Sequence, residues 1–326
     1  RSTTVLFTIC INLSGNVSRI GGICSSTWPR WTKYASLHGY DTMMVQQRNK
    51  TITGIASIVW IRCFVAHELF TLKGYDQVFH VDGDTAVVHW EYSLQEYLGG
   101  SNGPFANLSQ PLPGHSSPFL YLSRDEGRWG RYEPTKRDFA SGISLNTGGL
   151  ISGPNNFGVF LMKRAPAALA ALEHLMGRSQ TLGRHFQGWP AEQGVLNAWL
   201  GQNCTRALPR GAHYPPSVRV HKECYYAQAE YGTFQSFYRA PVQFHKNATL
   251  WHAALLSLDA GLNSTLHRLY SKGAFILHTP SMAKIKALDD SSLAERILRY
   301  ADELWPVQTS KTLQPLPHAL ATEPLL

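Results

Sequence analysis

The sequence predicts an α/β protein built on a mostly parallel sheet flanked by helices. Three observations carry this. Short apolar runs alternate with longer amphipathic stretches through the first 81 residues. The third apolar run ends directly in Asp82-Gly83-Asp84, the position where open α/β sheets hold ligands. The 326 residues are 44% hydrophobic and 16% charged, enough apolar material for a sizeable core. This composition excludes wholesale disorder. No run approaches the roughly 18 apolar residues of a membrane span. The 27 Gly and 18 Pro make the chain loop-rich without making it fibrous.

Val5–Ile11 is a short apolar run suited to a buried strand. Trp28–Leu37 has helical spacing and stops at His38-Gly39. Thr42–Val45 is a second strand. Ile55–Leu72 is a long amphipathic helix closed by Lys73-Gly74. Gln77–Val81 is a third strand. This order of strands and helices is that of parallel strands joined by crossover helices. Gly99–Gly142 is irregular, with Ser, Gly and Pro between short pieces such as Phe119–Leu122. Gly148–Phe160 holds a strand and a turn at Gly153-Pro154, and an Ala- and Leu-rich helix is expected from about Asn155 to Met176. A further helix spans Pro190–Leu200, with Pro in its first turn. Val242–Phe244 and Phe275–Leu277 suit short strands, and Leu250–Tyr270 and Ser291–Trp305 suit helices. The last twenty residues lack periodicity. The expected organisation is one domain over 1–305 and a mobile tail over 306–326, with no internal repeat.

Composition also points to a compartment. Asn-x-Ser/Thr occurs at Asn12, Asn16, Asn49, Asn107, Asn203, Asn247 and Asn263. Seven of 12 Asn residues are therefore sequons, where 47 Ser and Thr predict about two by chance. That excess reads as a chain that meets the glycosylation machinery. There are five cysteines and no CxxC, so a thiolate zinc site is not expected. Cys204 and Cys224 flank a loop and are the expected disulfide; Cys10 and Cys63 lie in apolar segments and are expected as buried thiols. The sequence begins at Arg1 with no Met and no signal-type apolar region. A targeting segment is expected to precede it, and membrane attachment is expected only through such a segment. Thirty basic against 22 acidic residues give +8, dispersed along the chain. That balance suits an anionic ligand and argues against nucleic acid as a partner.

Asp82-x-Asp84 follows His80-Val81 at a strand end. Two carboxylates one residue apart can reach one hard divalent cation, Mn²⁺ or Mg²⁺, whose other positions go to water and phosphate oxygens. Asp-Gly-Asp also makes ordinary surface turns; the apolar strand before it favours the metal. Trp60-Ile61-Arg62 lies on the preceding helix, with Arg62 twenty residues before Asp82. Asn146-Thr147-Gly148-Gly149 opens a strand, and Trp189-Pro190-Ala191-Glu192-Gln193-Gly194-Val195-Leu196-Asn197 opens a helix.

In that order these motifs resemble nucleotide-sugar glycosyltransferases of the GT-A (Rossmann-like) fold. Within them they resemble family 34, the galactomannan galactosyltransferase and xyloglucan xylosyltransferase group, over roughly residues 3–250. The resemblance implies that Asp82, Gly83 and Asp84 contact the metal and the diphosphate of a nucleoside diphosphate sugar. Arg62 stands where the family has Lys and would face the donor; the alternative is a solvated helix face. Asn146, Gly148 and Gly149 would line the sugar pocket, where glycine allows close backbone approach. Glu192, with Gln193 beside it, would stand at the donor sugar or the acceptor hydroxyl; the alternative is a first-turn acid that suits the helix dipole. Such enzymes often add a late His ligand. His245 in Pro241-Val242-Gln243-Phe244-His245-Lys246 fits, with Lys246 on phosphate, and His278 competes. A glycan on Asn247 would crowd His245. The chain departs from the family in Gly83, where relatives often carry Ala or another small residue, in Arg62, and in the His-Lys-Asn ending.

The implied activity is metal-dependent transfer of a sugar to a glycan or glycoprotein, with retention of configuration, in the secretory pathway at the Golgi lumen. Gly99–Gly142 would shape the acceptor side. Two rivals remain. A lumenal glycoside hydrolase would use Asp82, Asp84 and Glu192 as acids, though acids one residue apart suit a metal better than a scissile bond. A non-catalytic glycan-binding protein would use the nine Trp, 14 Tyr and 14 Phe for stacking.

Overall fold

The structure, a computed structural model, describes residues 3–11, 19–47, 60–87, 89–90, 92–99, 117–124, 155–182, 191–207, 224–229, 235–237 and 276–278. In chain order its elements are β1 (Thr4–Ile11), α1 (Arg19–His38), β2 (Asp41–Gln47), α2 (Ile61–Thr71), β3 (Gln77–Val81), β4 (Thr85–Val87), α3 (Leu94–Gly99), β5 (Leu120–Arg124), β6 (Asn155–Lys163), α4 (Pro166–Leu182), α5 (Ala191–Asn203), β7 (Thr205–Ala207), β8 (Tyr225–Ala229), β9 (Gln235–Phe237) and β10 (Ile276–His278). The class is mixed α/β, as expected. Two compact units divide the chain. One comprises Arg1–Asn49, Val81–Ser93 and Gly232–Leu326, the other Lys50–His80 and Leu94–Tyr231.

In the first unit β1 and β2 pair in parallel, from Val5 opposite Asp41 to Ile11 opposite Gln47. Val5, Leu6 and Phe7 are buried in sequence, as in a strand covered on both faces. The intervening α1 starts nine residues before the expected Trp28. Gly21, Gly22 and Pro29 obscure its early turns, because each lowers helix propensity. Pro29 lies inside the helix and is exposed. The buried side chains Cys24, Thr27, Trp31 and Tyr34 hold α1 in place around it. The helix stops where expected, with Gly39 at φ 70° and the Tyr40 amide bonded to the Ala35 carbonyl. β10 runs antiparallel to β4 and parallel to β9. β4 and β9, at three residues each, are too short to read from periodicity.

In the second unit the strand order is β3-β6-β5-β8-β7. β5 is antiparallel to β6 and parallel to β8, and β7 is parallel to β8. β3 occupies the expected residues, and α2 ends at a Gly74 of φ 74°. The expected helix from Asn155 is corrected. Asn155–Lys163 is strand, buried at every residue but its last, and Phe157 stacks on Phe160 at 4.3 Å. Full burial erases the alternation that marks a strand. The helix begins at Pro166, where a fixed φ and a missing donor do no harm in a first turn. α2 packs on α4 and α4 on α5, and Val65, Leu69, Ala168, Leu172 and Leu175 are buried.

The expected Cys204–Cys224 disulfide ties the end of α5 to β8, and Cys63 is a buried free thiol as expected. Cys10 is corrected: it is bonded to Cys24. β10 covers the expected Phe275–Leu277 within one residue. The expected elements at Val242–Phe244, Leu250–Tyr270 and Ser291–Trp305, and the tail, lie outside the described residues. Among the described residues no helix is long and apolar enough to cross a membrane.

Candidate functional site

Asp82, Gly83 and Asp84 form the turn between β3 and β4, all three part-exposed while both flanking strands are buried. The turn is closed by the Thr85 amide on the Asp82 carbonyl at 3.2 Å, an i to i+3 bond. The Thr85 hydroxyl donates to the same carbonyl at 2.6 Å. Trp31 of α1 donates its indole N–H to the Thr85 carbonyl and hydroxyl at 3.1 and 3.2 Å. Thr27 donates its hydroxyl to the Gly83 carbonyl at 2.6 Å. Behind the turn, the Thr8 hydroxyl holds the Val81 carbonyl at 2.7 Å. Gly83 sits against Cys24: a Cβ there would stand 2.8 Å from Cys24 Cβ and 3.0 Å from its Sγ. No left-handed φ requires this glycine; lack of space does.

A second polar cluster lies in the other unit. Arg62 is not on a solvated face. Its side chain is 11% exposed, its Nη1 donates to the Phe157 carbonyl at 2.7 Å, and its Nε stands 3.9 Å from Glu192 Oε1. Glu192, in the first turn of α5, is 9% exposed at its side chain. Gln193 accepts the Phe157 amide at 3.0 Å through Oε1, and its Nε2 is buried with no hydrogen-bond partner among the described residues. One turn on, Asn197 accepts from the amide and the side chain of Asn155 at 2.9 and 2.7 Å. Gln193 and Asn197 thus bind the start of β6 to α5. Burial, then the Glu192 charge, push the neighbouring Cys63 thiol far up, against an opposing effect of Arg62, so it stays protonated.

Asn146, Gly148, Gly149, His245 and Lys246 lie outside the described residues. His278 ends β10 directly opposite Thr85, the residue after Asp84. Opposed residues of an antiparallel pair have Cα atoms about 4.5–5.5 Å apart. Among the described residues no cluster of three or more His, Cys, Asp and Glu side chains able to hold a metal is present. Sequence reasoning missed Cys24, Thr27, Trp31 and Thr85. Their signal was the i, i+3, i+7 spacing of the first three, which puts them on one helix face, but that face was assigned from Trp28 onward.

No family model matches the chain, and no curated protein does. Solved structures that resemble it include two glycosyltransferases. One is a glycosyltransferase involved in the glycosylation of the major capsid of PBCV-1, 12% identical, covering 91% of this chain and 98% of that one, with a TM-score of 0.46. The other is the WbbM bifunctional glycosyltransferase in its apo form, 12% identical, covering 95% of this chain and 52% of that one, with a TM-score of 0.43.

Proposed function

We propose that the chain is a metal-dependent glycosyltransferase that moves a sugar from a nucleoside diphosphate sugar to a glycan or glycoprotein, with retention of configuration. The observation that carries the reading is the Asp82-Gly83-Asp84 turn, part-exposed at the end of the buried β3 and fastened by backbone carbonyls. The carbonyls of Asp82 and Gly83 accept hydrogen bonds from Thr85 and Thr27, which fixes the backbone between the two carboxylates that the reading gives to a metal. Two hard oxygen groups one residue apart fit Mn²⁺ or Mg²⁺. When bound, such a cation neutralises the charge of a departing diphosphate. Asp82 and Asp84 hold it in this reading, while Arg62 and Glu192 form a charged pair whose mutual attraction fixes both side chains. By the resemblance of the motifs we assign Asn146, Gly148 and Gly149 to the sugar and Lys246 to phosphate. The motif order along the chain resembles family 34 and supports the donor class.

For the third ligand His245 remains a candidate, and the β4–β10 register favours His278, whose backbone faces Thr85. Two disulfides support an oxidising compartment, and an exposed Asn203 sequon agrees with it. The secretory pathway, at the Golgi lumen, is the proposed location. The test is release of nucleoside diphosphate from a panel of nucleotide sugars with and without Mn²⁺, repeated with Asp84→Ala, His245→Ala and His278→Ala. The reading expects turnover that needs the metal and is lost in Asp84→Ala. Metal-independent release of free sugar with no nucleotide product would replace it with the hydrolase.

A further inference from the structure

We infer that one stripe of α1, with the Cys10–Cys24 disulfide, is the positioning element of the Asp82–Asp84 turn, and that the cation affinity of the turn depends on this disulfide being closed. The second half of the inference rests on the proposed metal reading; the first does not.

Cys24, Thr27, Trp31, Tyr34 and His38 recur at the spacing of one helix face. Each meets the segment that begins at Gly83. Cys24 packs on Gly83, Thr27 bonds its carbonyl, and Trp31 bonds Thr85. Tyr34 donates its hydroxyl to the Tyr92 carbonyl at 2.9 Å, and His38 Nε2 lies 2.7 Å from the Trp90 carbonyl. Arg30, beside the stripe, bonds the Val87 carbonyl at 3.0 Å and stands 4.5 Å over the Trp90 ring. A three-residue turn cannot fix two carboxylates by itself. Groups that grip an ion must be held within about half an ångström by their supports. Here the supports are concentrated on the residue between the two acids.

Cys24 is the least movable of them. It is tied to α1 through its backbone and to β1 through Cys10. Reduction by a dithiol transfers two electrons and two protons: the reagent leaves as its cyclic disulfide, and Cys10 and Cys24 become thiols. Two unbonded sulfurs must separate. The Cys24 sulfur already lies against Gly83, so the separation acts on the turn. The Cys204–Cys224 bridge lies in the other unit and serves as the control.

The experiment titrates the full chain with Mn²⁺ alone, following free Mn²⁺ by electron paramagnetic resonance. It also measures hydrogen exchange of the Thr85 amide. Wild type is compared with Thr27→Val, Thr27→Ser, Cys10→Ser/Cys24→Ser and Cys204→Ser/Cys224→Ser. Thr27→Val keeps the shape and removes the hydroxyl, so it tests the positioning role by itself, and wild type reduced by a dithiol tests the disulfide even if the Cys10/Cys24 variant does not fold. Expected are an affinity loss of about tenfold or more in Thr27→Val and Cys10→Ser/Cys24→Ser, faster Thr85 exchange in both, and recovery in Thr27→Ser. The Cys204/Cys224 variant should bind as wild type. Wild-type affinity and exchange in Thr27→Val overturn the positioning role, and wild-type affinity in the Cys10/Cys24 variant or in the dithiol-reduced chain overturns the dependence on the disulfide. Faster exchange in a protein that takes up no Mn²⁺ even as wild type upholds the positioning role and removes the metal reading.

Discussion

Gly83→Ala is the most direct probe of how the turn is built. The added Cβ meets Cys24 Cβ at 2.8 Å and Sγ at 3.0 Å, and must open to at least 3.4 Å for ordinary contact. The obstructing atoms are not the free end of a flexible side chain; they belong to a half-cystine on a helix. The turn must therefore give way, and the 2.6 Å bond from Thr27 to the Gly83 carbonyl is the first to lengthen. Forcing a methyl into a packed site costs about 1–3 kcal/mol. A weakened hydrogen bond adds about 1 kcal/mol, so the expected loss is ~2–4 kcal/mol. Urea unfolding followed by tryptophan fluorescence measures it, since Trp31 is buried in α1 and bonded to the same turn. Nucleotide-sugar turnover should fall as well, because shifting a positioned group by even an ångström costs up to about a hundredfold. Gly83→Ser should be at least as damaging. If Gly83→Ala unfolds within about 0.5 kcal/mol of wild type, within the range of a surface change, Cys24 is not fixed and the packing argument fails.

Glu192→Gln should destabilise the second unit by about 2 kcal/mol, because it strips a charge from beside a nearly buried guanidinium; the 3.9 Å separation keeps the loss below that of a tight buried pair. Replacing both Arg62 and Glu192 by Met and Leu should recover most of that loss, and additive single costs in the cycle would show the two are not coupled. Cys63 should resist iodoacetamide at pH 8 in the native chain and label only after denaturation, since burial and Glu192 hold it protonated; rapid native labelling contradicts this. Tyr121 and Tyr225 both have folded-state pKa values raised from 10.0, mainly by burial. Above pH 10 the unfolded chain then releases protons that the folded chain keeps, so stability should fall as pH rises through that point. Tyr121→Phe should flatten the fall, as read from urea midpoints between pH 8 and 11.

The first βαβ unit was legible because its signals were local. Gln77–Val81 is strand as expected, and the two glycine stops after His38 and Lys73 take the positive φ that ends a helix. β6, buried on both faces and followed at once by an Ala-rich helix, and the three-residue β4 and β9 were not legible. β6 reads as a helix beside the Ala-rich α4 because its burial, continuous from Asn155 to Met162, leaves no alternation of apolar and polar residues. β4 and β9 are defined by the partners they pair with, not by their own pattern. α1 was read short because Pro29 weighs heavily in a local count, while the contacts that hold the helix are with residues 83–92.

The site was half legible for the same reason. Asp82 and Asp84 stand out in the sequence because they follow an apolar strand, although Asp-Gly-Asp also makes ordinary turns. What holds them does not. In the sequence Gly83 shows only as a departure from the pattern of the family the motifs resemble, where another small residue is common. The structure turns that departure into a consequence of Cys24, which fills the space such a side chain would take. Cys10 reads as a buried thiol because it sits in an apolar strand, and Cys24 lies before the helix that the sequence predicts from Trp28; in the structure Cys24 is part of α1 and bonded to Cys10. Glycine and disulfide are therefore one feature. A chain with a larger residue between the acids needs a different residue at position 24, and a chain that keeps Cys24 in its disulfide cannot carry more than a hydrogen there. That coupling is physical rather than historical, and it predicts that Gly83→Ala is relieved by Cys10→Ala/Cys24→Gly, which removes both the obstructing Cβ and the sulfur, with unfolding midpoints as the readout.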